Sequence, residues 1–181
     1  MKNNKITNNY LKKVVGPDNL ENTKKVIKKL GTTNKTDKEI CEKINKKEIK
    51  LETVRNLLYK LHDASIANYK RNKDPETQWF TYTWRFDKEE YVKRIIEFYT
   101  TRLEHREAEL YDLENNLYFV CCMDPEHFKG DYTESSEYEF YCPVCDYELE
   151  PFDAKKDKTL LKRRITVDKK NFKKFEEAIE E

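Results

Sequence analysis

The sequence predicts a mainly α-helical chain with small β elements: an N-terminal winged helix, a long linker helix and a C-terminal zinc-ribbon-like β domain. Three observations predict it. Three short segments with apolar residues at helical spacing are followed by two that alternate with period two. A stretch without Gly or Pro follows, and then a Cys-Pro-Val-Cys knuckle, Cys142 to Cys145, among aromatic and acidic residues.

Residues 1–17 read as a polar N-terminal extension ending at Gly16-Pro17, a natural boundary. The winged helix-turn-helix is expected over 18–86. Its first helix carries Leu20, Val26, Ile27 and Leu30 on one stripe and is closed by Gly31. Thr36 and Glu39 form a capping box for a second helix that turns Ile40, Cys41 and Ile44 inward. After a polar break at Asn45 to Lys47, residues Ile49, Leu51, Val54, Leu57, Leu58 and Leu61 define the third helix, with His62 as a C-terminal cap. A strand over Ile66 to Tyr69, a charged turn over Lys70 to Glu76 and a strand over Gln78 to Phe86 then make a hairpin. Alternation places Phe80, Tyr82, Trp84 and Phe86 on a core face, and Trp79, Thr81, Thr83 and Arg85 opposite.

Residues 87–116 predict one acidic linker helix acting as a rigid spacer, its apolar seam (Tyr91, Ile95, Phe98) fading after Leu103. A zinc-ribbon-like domain is expected over 117–154, with strands at Leu117 to Cys122, Glu139 to Tyr141 and Tyr147 to Leu149. Residues 155–181 form a basic C-terminal tail with some helical spacing.

Composition narrows the function. Three glycines in 181 residues leave no Walker-type or dinucleotide-binding loop, so no nucleotide cofactor is expected. No apolar run approaches the roughly 20 residues that cross a bilayer, and the start lacks an export signal, so a cytoplasmic protein without membrane contact is expected. Five cysteines, two of them adjacent, do not make a disulfide framework. Charge is segregated: residues 1–86 carry 20 basic and 10 acidic side chains, whereas residues 87–154 carry 6 and 19. The first block suits phosphate contacts, and the second suits a basic protein surface.

The knuckle supplies two thiolates that can hold adjacent corners of a tetrahedron. Cys121 follows a predicted strand upstream and is the third candidate, but Asp124 stands where a second upstream Cys would be expected. The fourth ligand is left among Asp124, His127 and the vicinal Cys122, and a ribbon without metal, held by its aromatics, is equally compatible. One structural zinc ion is therefore the only cofactor considered.

The order of parts resembles archaeal transcription factor E, the counterpart of the alpha subunit of eukaryotic TFIIE. The resemblance covers about residues 18–150 and rests on the wing strand WFTYTW (79–84), the acidic helix, and YFVC followed by FYCPVCDYELE. It implies a general initiation factor that joins TATA-binding protein, transcription factor B and RNA polymerase at a promoter. It further implies that the winged helix lies by the polymerase clamp and the non-template strand while the ribbon reaches towards the stalk.

Single-stranded DNA offers bases for aromatic stacking and a backbone for cations. Trp79 is the candidate stacking residue, with Lys70, Arg71, Lys73 and Arg85 as cationic neighbours; Lys50, Arg55, Asn56 and Lys60 of the third helix could also meet phosphate. A monomer that stabilises the open promoter is expected. The alternative is a gene-specific winged-helix regulator binding duplex DNA as a dimer, which needs a stronger dimer seam than residues 87–116 offer. No Ser-His-Asp set, paired-acid motif or metal triad points to an enzyme.

Overall fold

The computed structural model describes residues 5–44, 48–73, 75–76 and 78–180. The expected break at 45–47 lies outside them, as does Asp74 of the expected turn. The chain divides into two compact units, Met1–Thr100 with Lys174–Glu181, and Thr101–Lys173.

In the first unit, helices α1 (Lys5–Val15), α2 (Leu20–Leu30), α3 (Asp37–Ile44) and α4 (Leu51–Asp63) pack beside a small sheet. The sheet contains β1 (Lys35–Thr36), β2 (Ala67–Lys73) and β3 (Phe80–Phe86) in the order β1-β3-β2, all antiparallel. This is a winged helix with an added N-terminal helix. The expected polar extension is corrected here: Ile6, Tyr10, Leu11 and Val15 recur at helical spacing and are buried. Of these, Tyr10 reaches α5 (Lys88–Asn115), its ring lying 6.1 Å from Tyr91 and 5.6 Å from Phe98. Burial pushes the Tyr91 phenol well above its usual range, with Tyr10 adding to the effect. The α5 seam runs through Tyr91, Ile95 and Tyr99, one position on from the expected Phe98.

The capping box forms as expected: Glu39 N–H donates to Thr36 Oγ1 at 3.2 Å, and Thr36 N–H donates to Glu39 Oε2 at 2.7 Å. Gly31 ends α2 with φ of 62°, a conformation that favours glycine, and its carbonyl accepts the Phe86 N–H at 2.9 Å, tying α2 to the hairpin base. His62 Nδ1 lies 3.0 Å from the Ala67 carbonyl, bridging the end of α4 to β2.

The second unit has a three-stranded antiparallel sheet of β4 (Tyr118–Cys121), β5 (Lys129–Asp131) and β6 (Leu149–Pro151) in the order β5-β4-β6, with a short helix α6 (Tyr132–Glu137). The strand expected at 139–141 is not formed, because Glu139 and Phe140 take φ of 52° and 61°, and only Tyr141 makes an isolated bridge, to Glu148. Residues Lys155–Glu180 form one helix, α7, with Leu161 and Ile165 buried. Within this unit α7 runs antiparallel to the second half of α5: Lys162 pairs with Glu114 at 2.6 Å, Lys169 with Glu107 at 2.5 Å, and Asp168 with Arg102 at 3.0 Å and with Arg106. Among the described residues, no helix is long and apolar enough to cross a membrane.

Candidate nucleic-acid interface and metal centre

The wing is longer than its sequence implies. The ladder runs from Ala67 opposite Phe86 to Lys73 opposite Phe80, so Lys70, Arg71 and Lys73 belong to β2 rather than to a turn. A physical reason is the cross-strand stacking of cation on ring: the Arg71 guanidinium carbon sits 3.4 Å from the Phe80 ring centroid, with Lys73 Nζ at 6.0 Å. Directly opposed residues share a face, which divides the predicted cations. Arg71 and Lys73 lie on the face of Phe80, Tyr82 and Trp84, whereas Lys70 (opposite Thr83) and Arg85 (opposite Asn68) lie on the other.

Only the base of the aromatic stripe is core. Trp84 and Phe86 are buried, whereas Phe80 is 45 % exposed. Between them runs a ladder of rings: Tyr69 lies 5.4 Å from Tyr82 and 5.1 Å from Trp84, and Trp84 lies 5.3 Å from Tyr59 of α4. Trp79 is 78 % exposed. It precedes β3, after Gln78 at φ of 59°, and does not keep the strand alternation that would set it opposite Phe80. Instead Trp79 and Phe80 line one groove of about 510 Å³, whose other wall is Thr36, Asp37, Arg55 and Tyr59. Tyr59 was not a sequence candidate; its position off the apolar stripe of α4 was the available signal.

Two of the α4 cations are already engaged. Arg55 donates to the Asp37 carboxylate, and Lys60 Nζ donates to the Val15 carbonyl at 3.4 Å. The wing, by contrast, presents exposed Tyr69, Trp79 and Phe80 with Arg71 and Lys73 beside the Phe80 ring.

In the second unit, Cys121, His127, Cys142 and Cys145 converge, with one ligand atom from each lying within 4.8 Å of the others. Cys121 ends β4, and its Sγ is 3.4 Å from Cys145 Sγ and 3.9 Å from His127 Nδ1. Four zinc ligands at about 2.0–2.3 Å from a tetrahedral centre stand at about this mutual separation. The second knuckle is closed by Asp146 N–H donating to the Cys142 carbonyl at 2.9 Å, with Asp146 at φ of 58°. The first uses Asp124 as a turn former: its Oδ1 accepts the Glu126 N–H at 2.9 Å, while its carbonyl accepts the His127 N–H at 3.0 Å. This turn carries His127 towards Cys121. Asp124 itself lies outside the converging group, as does the exposed Cys122, which corrects both as candidates for the fourth position.

The local amides favour thiolate. The Asp124 N–H, above all, pulls the Cys121 thiol down to about 6, helped by Cys145, the Met123 N–H and His127 against the opposing effect of burial. The Tyr147 N–H acts in the same direction on Cys145, but burial and the neighbouring Cys121 and Cys142 sulfurs outweigh it and push that thiol up to about 11. A cation between these sulfurs would favour the thiolate form of each. Three sulfurs and an imidazole fit zinc, with no fifth side-chain donor in the group.

The family described as TFIIE alpha subunit matches residues 9–115. The chain is 41% identical over 145 residues to "Transcription factor E" of Methanobrevibacter smithii, covering 80% of this chain and 81% of that one. It is 38% identical over 130 residues to "Transcription factor E" of Methanosphaera stadtmanae, covering 72% and 69%. With the protein of the same name from Pyrococcus abyssi, identity is 34% over 157 residues, covering 84% and 77%.

Proposed function

The chain belongs to the TFIIE alpha subunit family, and from that membership we propose that it is a general transcription initiation factor that stabilises melted promoter DNA at RNA polymerase. The carrying observation is the wing tip, where the 78 % exposed Trp79 adjoins Phe80 with Arg71 stacked on its ring. Exposed rings beside cations suit unpaired bases and a phosphate backbone, with stacking contributing roughly 1–3 kcal/mol per base. Duplex DNA hides its base faces, so the same groups hold it less tightly. A ligand that favours the melted state by about 1.4 kcal/mol shifts opening about tenfold, without ATP.

In this reading the wing meets the non-template strand beside the clamp, and the acidic ribbon meets polymerase near the stalk, with TATA-binding protein and transcription factor B already at the promoter. Cys121, His127, Cys142 and Cys145 are the residues that would hold one zinc ion in the ribbon. Bound there, zinc would supply a crosslink between the two knuckles. Its role is structural, and the chain's own residues act by binding.

The test pairs full-length chain with purified polymerase on a promoter that melts poorly. Retention on polymerase and a raised yield of open complex are expected, with the yield falling in Trp79→Ala. A chain that ignores polymerase but selects one palindromic duplex would instead be a gene-specific regulator.

A further inference from the structure

Helix α7 carries two seams. The inner one, through Leu161, Ile165 and Asp168, is buried. A second seam, through Lys156, Leu160, Arg163, Val167 and Lys170, follows strict four-three spacing and is exposed along its length, with Leu160 at 45% and Val167 at 41%. At 3.6 residues per turn these five positions fall within about 80° of the helix surface and extend about 21 Å. Spacing of four and three is the seam of helix-on-helix packing, and here apolar residues alternate with cations along it.

Two of the ten cations of α7 pair with carboxylates among the described residues. Lys162 and Lys169, off this seam, pair with Glu114 and Glu107 of α5. Lys156, Arg163 and Lys170 have no carboxylate partner among the described residues. The two acidic residues of the stretch lie elsewhere: Asp168 is buried on the inner face, and Asp157 sits about a quarter turn round from Lys156.

We infer that this outer face of α7 docks an acidic amphipathic helix of another protein, one whose seam alternates carboxylates with apolar side chains. The carboxylates meet Lys156, Arg163 and Lys170, and the apolar residues cover Leu160 and Val167. A second copy of the chain is disfavoured, because a self-paired seam brings cation against cation. Nucleic acid is disfavoured because phosphates offer nothing to Leu160 and Val167, which lie between the cations rather than beside them. The inference does not depend on the transcriptional reading.

The test uses full-length chain and a labelled synthetic helix about four heptads long, with Leu and Glu alternating at the seam positions, beside a scrambled isomer and a Leu-Lys version. Anisotropy is expected to show binding of the Leu-Glu peptide at least tenfold tighter than of the isomer, and tenfold loss in Leu160→Asp with Val167→Asp. The triple variant Lys156→Glu, Arg163→Glu, Lys170→Glu should reverse the preference and take the Leu-Lys peptide. That gain of binding separates a true interface from misfolding, and unchanged helicity by circular dichroism accompanies it. Equal binding of the scrambled isomer, or no peptide binding, overturns the inference. So does a DNA oligonucleotide whose binding needs the three cations but not Leu160 and Val167, or a concentration-dependent dimer in sedimentation that the triple variant abolishes.

Discussion

The Asp168 carboxylate of α7 accepts a hydrogen bond from the Arg106 guanidinium of α5, 62 residues earlier in the chain, and Arg102 reaches the same oxygen at 3.0 Å. Two cations on one nearly buried carboxylate join α5 to α7 in the second unit, with Lys169–Glu107 and Lys162–Glu114 as further pairs towards the C-terminal end of α5.

Removing that carboxylate leaves two partly covered guanidinium groups facing each other. Asp168→Ala is expected to destabilise the α5–α7 pairing by about 2 kcal/mol, a roughly thirtyfold rise in the opened population. Hydrogen exchange at the α7 amides reads this directly and avoids treating a two-unit chain as one cooperative transition. Asp168→Asn, which keeps an acceptor, should lose less.

Trp79→Ala should leave stability unchanged within about 0.5 kcal/mol, given its exposure, while weakening binding to a bubble-containing oligonucleotide by 1–3 kcal/mol, about five- to 150-fold. Duplex binding should change far less. Equal losses on bubble and duplex would remove Trp79 from any stacking role.

For the metal centre, one zinc per chain is expected by elemental analysis. Cobalt replacement should give the intense thiolate charge-transfer band and visible d–d bands of a tetrahedral site. His127→Ala should weaken metal binding and alter the d–d bands, whereas Asp124→Asn, which keeps the turn-forming oxygen, should retain stoichiometric metal. Loss of cobalt colour in Asp124→Asn with none in His127→Ala would reverse the assignment of the fourth ligand.

The Tyr118 hydroxyl donates to Asp112 Oδ2 at 2.5 Å, which pushes the phenol up to about 12 and holds the carboxyl below its usual range. For Tyr118 the folded state keeps its proton longer than the unfolded chain. Its contribution is therefore present below pH 10 and lost as pH rises through about 12. Asp112 has the opposite sign: its contribution is present above the ordinary carboxylate range and lost in acid. Tyrosinate absorbance should show Tyr118 among the last phenols to ionise, and Asp112→Asn should bring it down towards 10.0.

Much of the first unit was legible because its helices carry their apolar residues at three- and four-residue spacing and because the Thr36–Glu39 box is a local signal. Helix α1 was missed since its buried residues, Ile6, Tyr10, Leu11 and Val15, are separated by Lys and Asn that lower mean hydropathy without disturbing the period. The length of the wing was missed for a different reason. Nothing local distinguishes Lys70 to Lys73 as strand, and the pairing that makes it one comes from Phe80 to Thr83 across the hairpin. At the metal cluster, the three thiols could be read from spacing, but His127 could not be separated from Asp124 and Cys122, because the turn at Asp124 decides which side chain swings inward.

The antiparallel run of α5 and α7 in the second unit has an architectural consequence. The chain leaves for the ribbon at Asn115 and returns at Lys155, at the same open end of the helical pair, beside the Lys162–Glu114 bridge. The ribbon is therefore a detour whose exit and entry stand side by side, and closing that gap with a few residues costs little chain entropy. A short turn could replace it without rethreading either helix. The stem would then be the frame, and the ribbon a fitting whose size the frame does not dictate.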